Sequence, residues 1–184
     1  MSNAIGILEL SSIAAGYETQ DTMLKAAHVE LIIARTICSG KYLIVIGGSV
    51  SSVSAALDAG SEKAEGFLIE KLNIPNIDRQ VFSALSGCVT LDEKSCQAMG
   101  ILETFSATPI IEAADAAVKA ADVTLFRVHV SMAIGGKGFM LICGDVASVN
   151  MAIGVAKEQI KDTGMLVHST VIPSASKELF NDFV

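Results

Sequence analysis

Ala4-Ile5-Gly6-Ile7-Leu8-Glu9 is written a second time as Ala98-Met99-Gly100-Ile101-Leu102-Glu103. Asp21-Thr22-Met23-Leu24-Lys25-Ala26-Ala27-His28-Val29 likewise returns as Asp115-Ala116-Ala117-Val118-Lys119-Ala120-Ala121-Asp122-Val123, at the same offset of 94 residues. That period is too long for a solenoid repeat and suits a duplicated domain. The chain therefore reads as two copies of one small fold, residues 1–94 and 95–184.

Working outward from the repeat, copy one reads as strand Ala4–Ser11, helix Ala14–Ala27, strands Val29–Ile37 and Lys41–Ile46, helix Val50–Glu65 and strand Phe67–Ile74, stopped by Pro75. The β-branched runs on either side of a short glycine-containing turn predict a hairpin. Ser49 or Ser51 is placed to cap the second helix. Copy two predicts the same order: strand Ala98–Phe105, helix Ile110–Ala121, hairpin Val123–Val130 with Gly138–Cys143, helix Val146–Ile160 and strand Met165–Ile172, stopped by Pro173. Asn76–Lys94 is the linker, with a short helix around Asp78–Leu85, and Ser174–Val184 has room for a matching one. A βαββαβ order is ferredoxin-like, an α+β class with an antiparallel sheet and helices on one face. That fold hosts many functions and selects none by itself.

Composition narrows the field. The chain of 184 residues carries a net charge of −7 and is 51% hydrophobic but only 5% aromatic. The acidic excess is shared, with 7 basic and 11 acidic residues in 1–94 and 6 and 9 in 95–184. Without a basic stripe, nucleic acid is not an expected partner, because phosphate contacts lack their electrostatic contribution. No apolar run approaches the roughly 18–20 residues needed to span a bilayer. No basic region followed by an apolar core opens the chain, so a cytoplasmic protein without a membrane partner is expected. So much apolar sequence in small domains also predicts burial between chains.

Catalytic signatures are scarce. His28, His129 and His168 stand apart from one another and read as structural or surface residues. No HExxH, Cys-x-x-Cys or Gly-x-Ser-x-Gly pattern occurs, so no catalytic residue is assigned and the chain is not read as an enzyme. Gly47-Gly48-Ser49 ahead of a helix is a candidate anion site. The second copy has Gly144-Asp145 there, and a carboxylate repels phosphate, so helix capping explains both better. Asp21/Lys25 and Asp115/Lys119 read as solvated i,i+4 pairs. Of the four cysteines, none shows a disulfide or zinc spacing. Cys143 lies in an apolar strand and reads as a small core residue, and Cys88 and Cys96 fall in the linker. Cys38 differs. It sits at the hairpin tip Ile37-Cys38-Ser39-Gly40-Lys41, where copy two has Ser131-Met132-Ala133-Ile134-Gly135-Gly136-Lys137 and no cysteine.

The order of these motifs resembles the shell proteins of bacterial microcompartments. Asp115–Val123 is similar to the first-helix signature of that family, Gly135-Gly136-Lys137 to its pore hairpin, Gly144-Asp145-Val146-Ala147-Ser148-Val149 to its strand-to-helix turn, and Val171-Ile172-Pro173 to the end of its last strand. The resemblance covers nearly the whole chain, twice. It implies the tandem-domain class, a homotrimeric pseudohexamer that tiles a compartment shell in the cytoplasm together with other shell proteins. By the same resemblance Lys25 and Lys119 become tile-edge contacts. Ile37, Ser39, Gly40 and Lys41 become pore-lining residues of copy one, and Met132, Ala133, Ile134, Gly135 and Gly136 those of copy two.

The tip around Cys38 resembles a subclass of the propanediol-utilisation compartment in which the matching cysteines of three chains bind a [4Fe–4S] cluster in the pore, one per trimer. Ser39 stands where that subclass has proline. The implied role is electron transfer across the shell, to or from an encapsulated or cytosolic redox enzyme, or delivery of the cluster. Met132, Ala133 and Ile134 would form an apolar collar around it. Two other readings stay open: a metal-free tile whose pore passes small metabolites, and a ferredoxin-like small-molecule sensor or enzyme.

Overall fold

The computed structural model describes residues 3–91 and 96–181. Its elements run β1 (Ala4–Leu10), α1 (Ile13–Ala26), β2 (Glu30–Ile37), β3 (Lys41–Gly48), α2 (Val50–Lys63), β4 (Leu68–Pro75) and α3 (Arg79–Leu85). There follow β5 (Ala98–Thr104), α4 (Ala107–Ala120), β6 (Thr124–Val130), β7 (Gly138–Gly144), α5 (Val146–Gln159), β8 (Leu166–Pro173) and α6 (Glu178–Asn181). The βαββαβ order thus occurs twice, as the repeat predicts. Each copy forms a four-stranded antiparallel sheet, ordered β2-β3-β1-β4 and β6-β7-β5-β8.

The compact units divide between Ile77 and Asp78, whereas the boundary at 94/95 read from the repeat lies outside the described residues. The helix α3 therefore belongs with the second unit. Asp78 N–H donates to Asp115 Oδ1 at 2.8 Å, and the Gln80 amide donates to the Val123 carbonyl at 3.2 Å and accepts from Leu125 N–H at 2.9 Å. A repeat offset marks where two copies correspond, not which copy a connector packs on.

In the first unit, alternate residues of β1 and β3 face the helices. Leu8, Leu10, Tyr42, Ile44 and Ile46 pack with Met23 of α1 and Val53 and Leu57 of α2, all fully buried or nearly so. Each such side chain contributes roughly 1.5–3 kcal/mol of burial. The two units solve one packing position in opposite ways. In the first, Gly16 of α1 lies against Tyr42, so close that a Cβ on Gly16 would stand 2.4 Å from the ring. In the second, the equivalent helix residue is Ile110 and the strand residue is Gly138, whose Cβ would stand 2.7 Å from Ile110.

Helix starts follow the expected caps. Ser49 accepts from Ser52 N–H at 3.1 Å, and Asp145 accepts from Ala147 and Ser148 N–H, each at 2.9 Å. Capping accounts for both turns. Helix α4 begins three residues before the predicted Ile110. Pro109 falls in its first turn, where no backbone donor is needed.

The reading of the cysteines is corrected. Cys96 and Cys143, read as lacking a disulfide spacing, are joined in a disulfide with a Cα–Cα distance of 5.1 Å. Met99 pairs with Cys143 across the ladder, and Gln97 N–H donates to the Gly144 carbonyl at 3.1 Å. Antiparallel pairing thus brings together residues 47 apart in sequence, a proximity that short-range spacing does not report. Cys143 is buried, as expected of a core residue. Among the described residues, no helix is long and apolar enough to cross a membrane.

Candidate functional site

The hairpin tips are the places where the copies differ most. In the first unit β2 and β3 pair down to Ile37 and Lys41, leaving the three-residue turn Cys38–Gly40. Ser39 and Gly40 take left-handed conformations, with φ of 65° and 72°. A Cβ on Gly40 would meet nothing within 4 Å, so glycine serves the backbone angle there rather than a close approach. Ile37 is buried, Cys38 half-buried, and Ser39 and Gly40 exposed. The thiol of Cys38 is not in a disulfide.

Lys41 does not extend freely from this tip. Its ammonium donates to Glu9 Oε1 at 2.6 Å, and the Glu9 side chain has no solvent exposure. The pair anchors the base of the tip to β1. Directly beyond it, the Tyr42 hydroxyl donates to Gln20 Oε1 at 2.8 Å, and its ring lies 4.9 Å from that of Tyr17. Burial pushes the Tyr42 phenol above its ordinary range, and the neighbouring Tyr17 adds to the shift.

The second tip, between Val130 and Gly138, is longer. Ser131, Ala133, Gly135 and Gly136 all have positive φ. The turn is held from within: Ser131 Oγ donates to the Gly136 carbonyl at 2.7 Å, and Ser131 N–H to the Lys137 carbonyl at 3.0 Å. His129 Nε2 donates to the Met132 carbonyl at 2.7 Å while its ring stacks on Phe139 at 5.2 Å. That gives His129 the structural part expected of it. Met132 and Ala133 are exposed and Ile134 half-exposed, while Gly136 is buried. Lys137 stands 3.4 Å from Glu103 Oε2, a looser and more open pair than Lys41–Glu9. A recess of about 250 Å³ lies beside it, lined by Glu103, Ile134, Lys137, Gly138 and Phe139.

Ile37, Cys38, Ser39, Gly40 and Lys41 are thus gathered on one tip of the first unit. Met132, Ala133, Ile134, Gly135 and Gly136 are gathered on the corresponding tip of the second. Lys25 and Lys119 lie elsewhere, in the last turns of α1 and α4. Each is 2.6 Å from the aspartate one turn earlier; Asp21 is exposed and Asp115 nearly buried. Asp115 is held by the Asp78 amide as well.

Sequence reasoning missed Glu9 and Glu103 as partners of the tip lysines. The signal was present: each is the lone acid of an apolar strand, and it recurs at the same place in both copies. Among the described residues, no group of three or more His, Cys, Asp or Glu side chains within the chain is arranged to hold a metal ion.

The BMC domain family matches residues 4–77 and 98–175. The chain is 47% identical over its full length to the bacterial microcompartment shell protein PduT of Citrobacter freundii, covering 99% of that protein. It is 34% identical to the carboxysome assembly protein CcmO of Synechocystis, over 96% of this chain and 63% of that one. Among solved structures, a microcompartment protein from Desulfitobacterium hafniense superposes with a TM-score of 0.90 at 40% identity, covering 97% of this chain and 98% of that one.

Proposed function

Because the chain belongs to the BMC-domain family of bacterial microcompartment shell proteins, with two such domains in tandem, we propose that three copies close into a pseudohexameric tile of that shell with a [4Fe–4S] cluster at its centre. The observation that carries the tile is the complete βαββαβ unit present twice in one chain. A ring of six such units needs three chains related by one closed rotation. The tile lies in the shell of a cytoplasmic compartment beside other shell proteins, with Lys25 and Lys119 at its edges. The hairpin tips line its central pore.

At the tip of the first unit, Cys38 is the ligand. A single chain offers one thiol at that tip, and in this reading three chains supply one each to a group on the axis. Thiolates are the common ligands of iron–sulfur clusters. When bound, the cluster supplies one-electron acceptance and release. The residues that follow Cys38 suit such a ligand: Ser39 and Gly40 are small and exposed, and a Cβ on Gly40 would meet nothing within 4 Å. The Lys41–Glu9 pair fixes the tip and makes Lys41 part of an ion pair rather than a bare cation in the pore. Met132, Ala133, Ile134 and Gly135 complete the lining, whereas Ile37 and Gly136, expected there from the sequence, are already buried within the chain and present little surface to it. The role is passage of electrons across the shell, with a redox enzyme inside or outside the compartment as partner.

The test is electron paramagnetic resonance on anaerobically purified protein before and after dithionite, with iron and sulfide counted per trimer. One cluster per trimer that disappears in Cys38→Ser supports the reading, and full iron retention in Cys38→Ser refutes the ligand. Protein that binds no iron after anaerobic reconstitution yet assembles into sheets is a tile whose pore passes small metabolites. A dispersed trimer at every salt and protein concentration, unchanged by Lys119→Ala, overturns the tile itself.

A further inference from the structure

We infer that Cys96 and Cys143 form a reversible thiol–disulfide couple, exchanging with low-molecular-weight thiols and disulfides, that sets how firmly the chain is held where it joins the second sheet. This stands apart from the cluster at Cys38. Cys96 lies two residues before β5 and Cys143 one residue before the end of β7, so the bond crosses one end of the sheet. The backbone at that end is a node: Gln97 N–H donates to the Gly144 carbonyl, and the Gln97 carbonyl accepts from Ser174 N–H at 2.8 Å. Oxidation staples this node covalently; reduction leaves it to two hydrogen bonds and to apolar contacts. Those contacts come from Val89, Leu91 and Cys96, which pack on Met99, Phe126 and Leu141.

The fold itself does not require the bond. The positions corresponding to Cys96 and Cys143 in the first copy are Ser2 and Gly47. Burial fixes the order of exchange. Cys143 is 1% exposed, whereas Cys96 is half-buried. The Cys96 thiolate therefore attacks a small disulfide RSSR, giving the mixed disulfide Cys96–SR and releasing RS⁻. Cys143, deprotonated, then attacks the Cys96 sulfur and releases the second RS⁻. Two protein thiols are oxidised as one RSSR is reduced to two RSH once the thiolates take up the two protons released. The return path runs through a thiolate attacking the Cys96 sulfur, with Cys143 as leaving group. A recess of about 230 Å³, lined by Gln97, Asp122, Thr124, Gly144 and Asp145, opens beside Cys143.

The experiment equilibrates the full-length protein with glutathione disulfide or with dithiothreitol. Free thiols are then blocked, the linked peptides are identified by mass, and thermal unfolding is followed at fixed protein concentration. After oxidation, Cys96 and Cys143 are recovered as a linked pair, while Cys88 is recovered blocked or carrying glutathione and not linked to another protein cysteine. The unfolding midpoint rises by roughly 10 °C, the effect of closing a loop of this length in a chain of this size. Dithiothreitol reverses both. The rise survives in Cys38→Ser and Cys88→Ser and vanishes in Cys143→Ser. Cys96→Ser, at a half-exposed position, gives the same answer if the buried change unfolds the protein. Full blocking of Cys96 and Cys143 after oxidation, an unchanged midpoint, or a bond that dithiothreitol leaves intact in the folded protein each overturns the inference.

Discussion

Replacing Gly16 by alanine adds one carbon to the first unit, and its consequence follows from the geometry. The new Cβ would lie 2.4, 2.5 and 2.6 Å from Tyr42 Cγ, Cδ1 and Cβ. Ordinary contact is about 3.5–4.0 Å, so the overlap is about 1 Å or more at three atoms. One of them is the Tyr42 Cβ, which is tied directly to the strand backbone, so ring rotation alone gives no relief. The hydroxyl is held by Gln20 and the ring by Tyr17. Overpacking of this kind costs about 3 kcal/mol, the upper end of its usual range. Alanine recovers about 1 kcal/mol of helix propensity, leaving a net loss of about 2 kcal/mol. At roughly 2–4 °C per kcal/mol for a chain of this size, the midpoint falls by about 4–8 °C. Tyr42→Gly removes the obstacle at its own cost of about 3–5 kcal/mol. In that background Gly16→Ala becomes stabilising by about 1 kcal/mol, so the double-mutant cycle gives a coupling near 3 kcal/mol. The Ile110/Gly138 pair of the second unit shows the same exchange of bulk already accommodated. Urea unfolding of the four proteins at one concentration measures the cycle. A Gly16→Ala protein as stable as the parent, or a coupling below about 0.5 kcal/mol, would refute the reasoning.

Other expectations follow from the same geometry. Glu9→Gln leaves the Lys41 ammonium against a neutral amide at a buried site and costs about 3 kcal/mol in urea unfolding. Glu103→Gln, at the looser and half-exposed pair, costs less than about 1 kcal/mol; equal losses would show that burial does not set the strength of these anchors. Hydrogen bonds from the Ser148 hydroxyl and amide and from the Ala147 amide hold the Asp145 carboxyl below its usual range. A depressed folded value means that its stabilisation is present above the unfolded carboxylate value and lost as pH falls through the folded one. The gap in midpoint between the parent and Asp145→Ala is therefore flat at neutral pH and narrows on acidification. The Ser49→Ala gap in the other copy, with a cap that does not titrate, stays constant. A narrowing at both caps, or at neither, contradicts the assignment.

Much of the architecture was legible before any coordinates. The repeat fixed two copies, short apolar and β-branched runs gave the strands and a helical pattern the helices, and Pro75 and Pro173 close the last strands where expected. These are local signals, each carried by a run of neighbouring residues. The tips were legible for the same reason, since Cys38-Ser39-Gly40 and Ile134-Gly135-Gly136 announce turns through residue types that accept positive φ. The start of α4 was misplaced because proline reads as a helix breaker, yet it is tolerated in a first turn.

What the chain alone determined was the pair of βαββαβ units, their caps and the two unlike hairpin tips, because secondary structure and turns depend on residues close in sequence. Tertiary structure alone decided which residues meet across the sheets. Glu9 reaches Lys41 over 32 residues, Cys96 reaches Cys143 over 47, and Gln80 reaches Leu125 over 45. Strand register sets the first two meetings, and the docking of α3 on β6 sets the third. A linear reading shows each of these residues but not its partner. Ion pairs, disulfides and connector docking act through space at a few ångströms, a distance that only the folded backbone fixes.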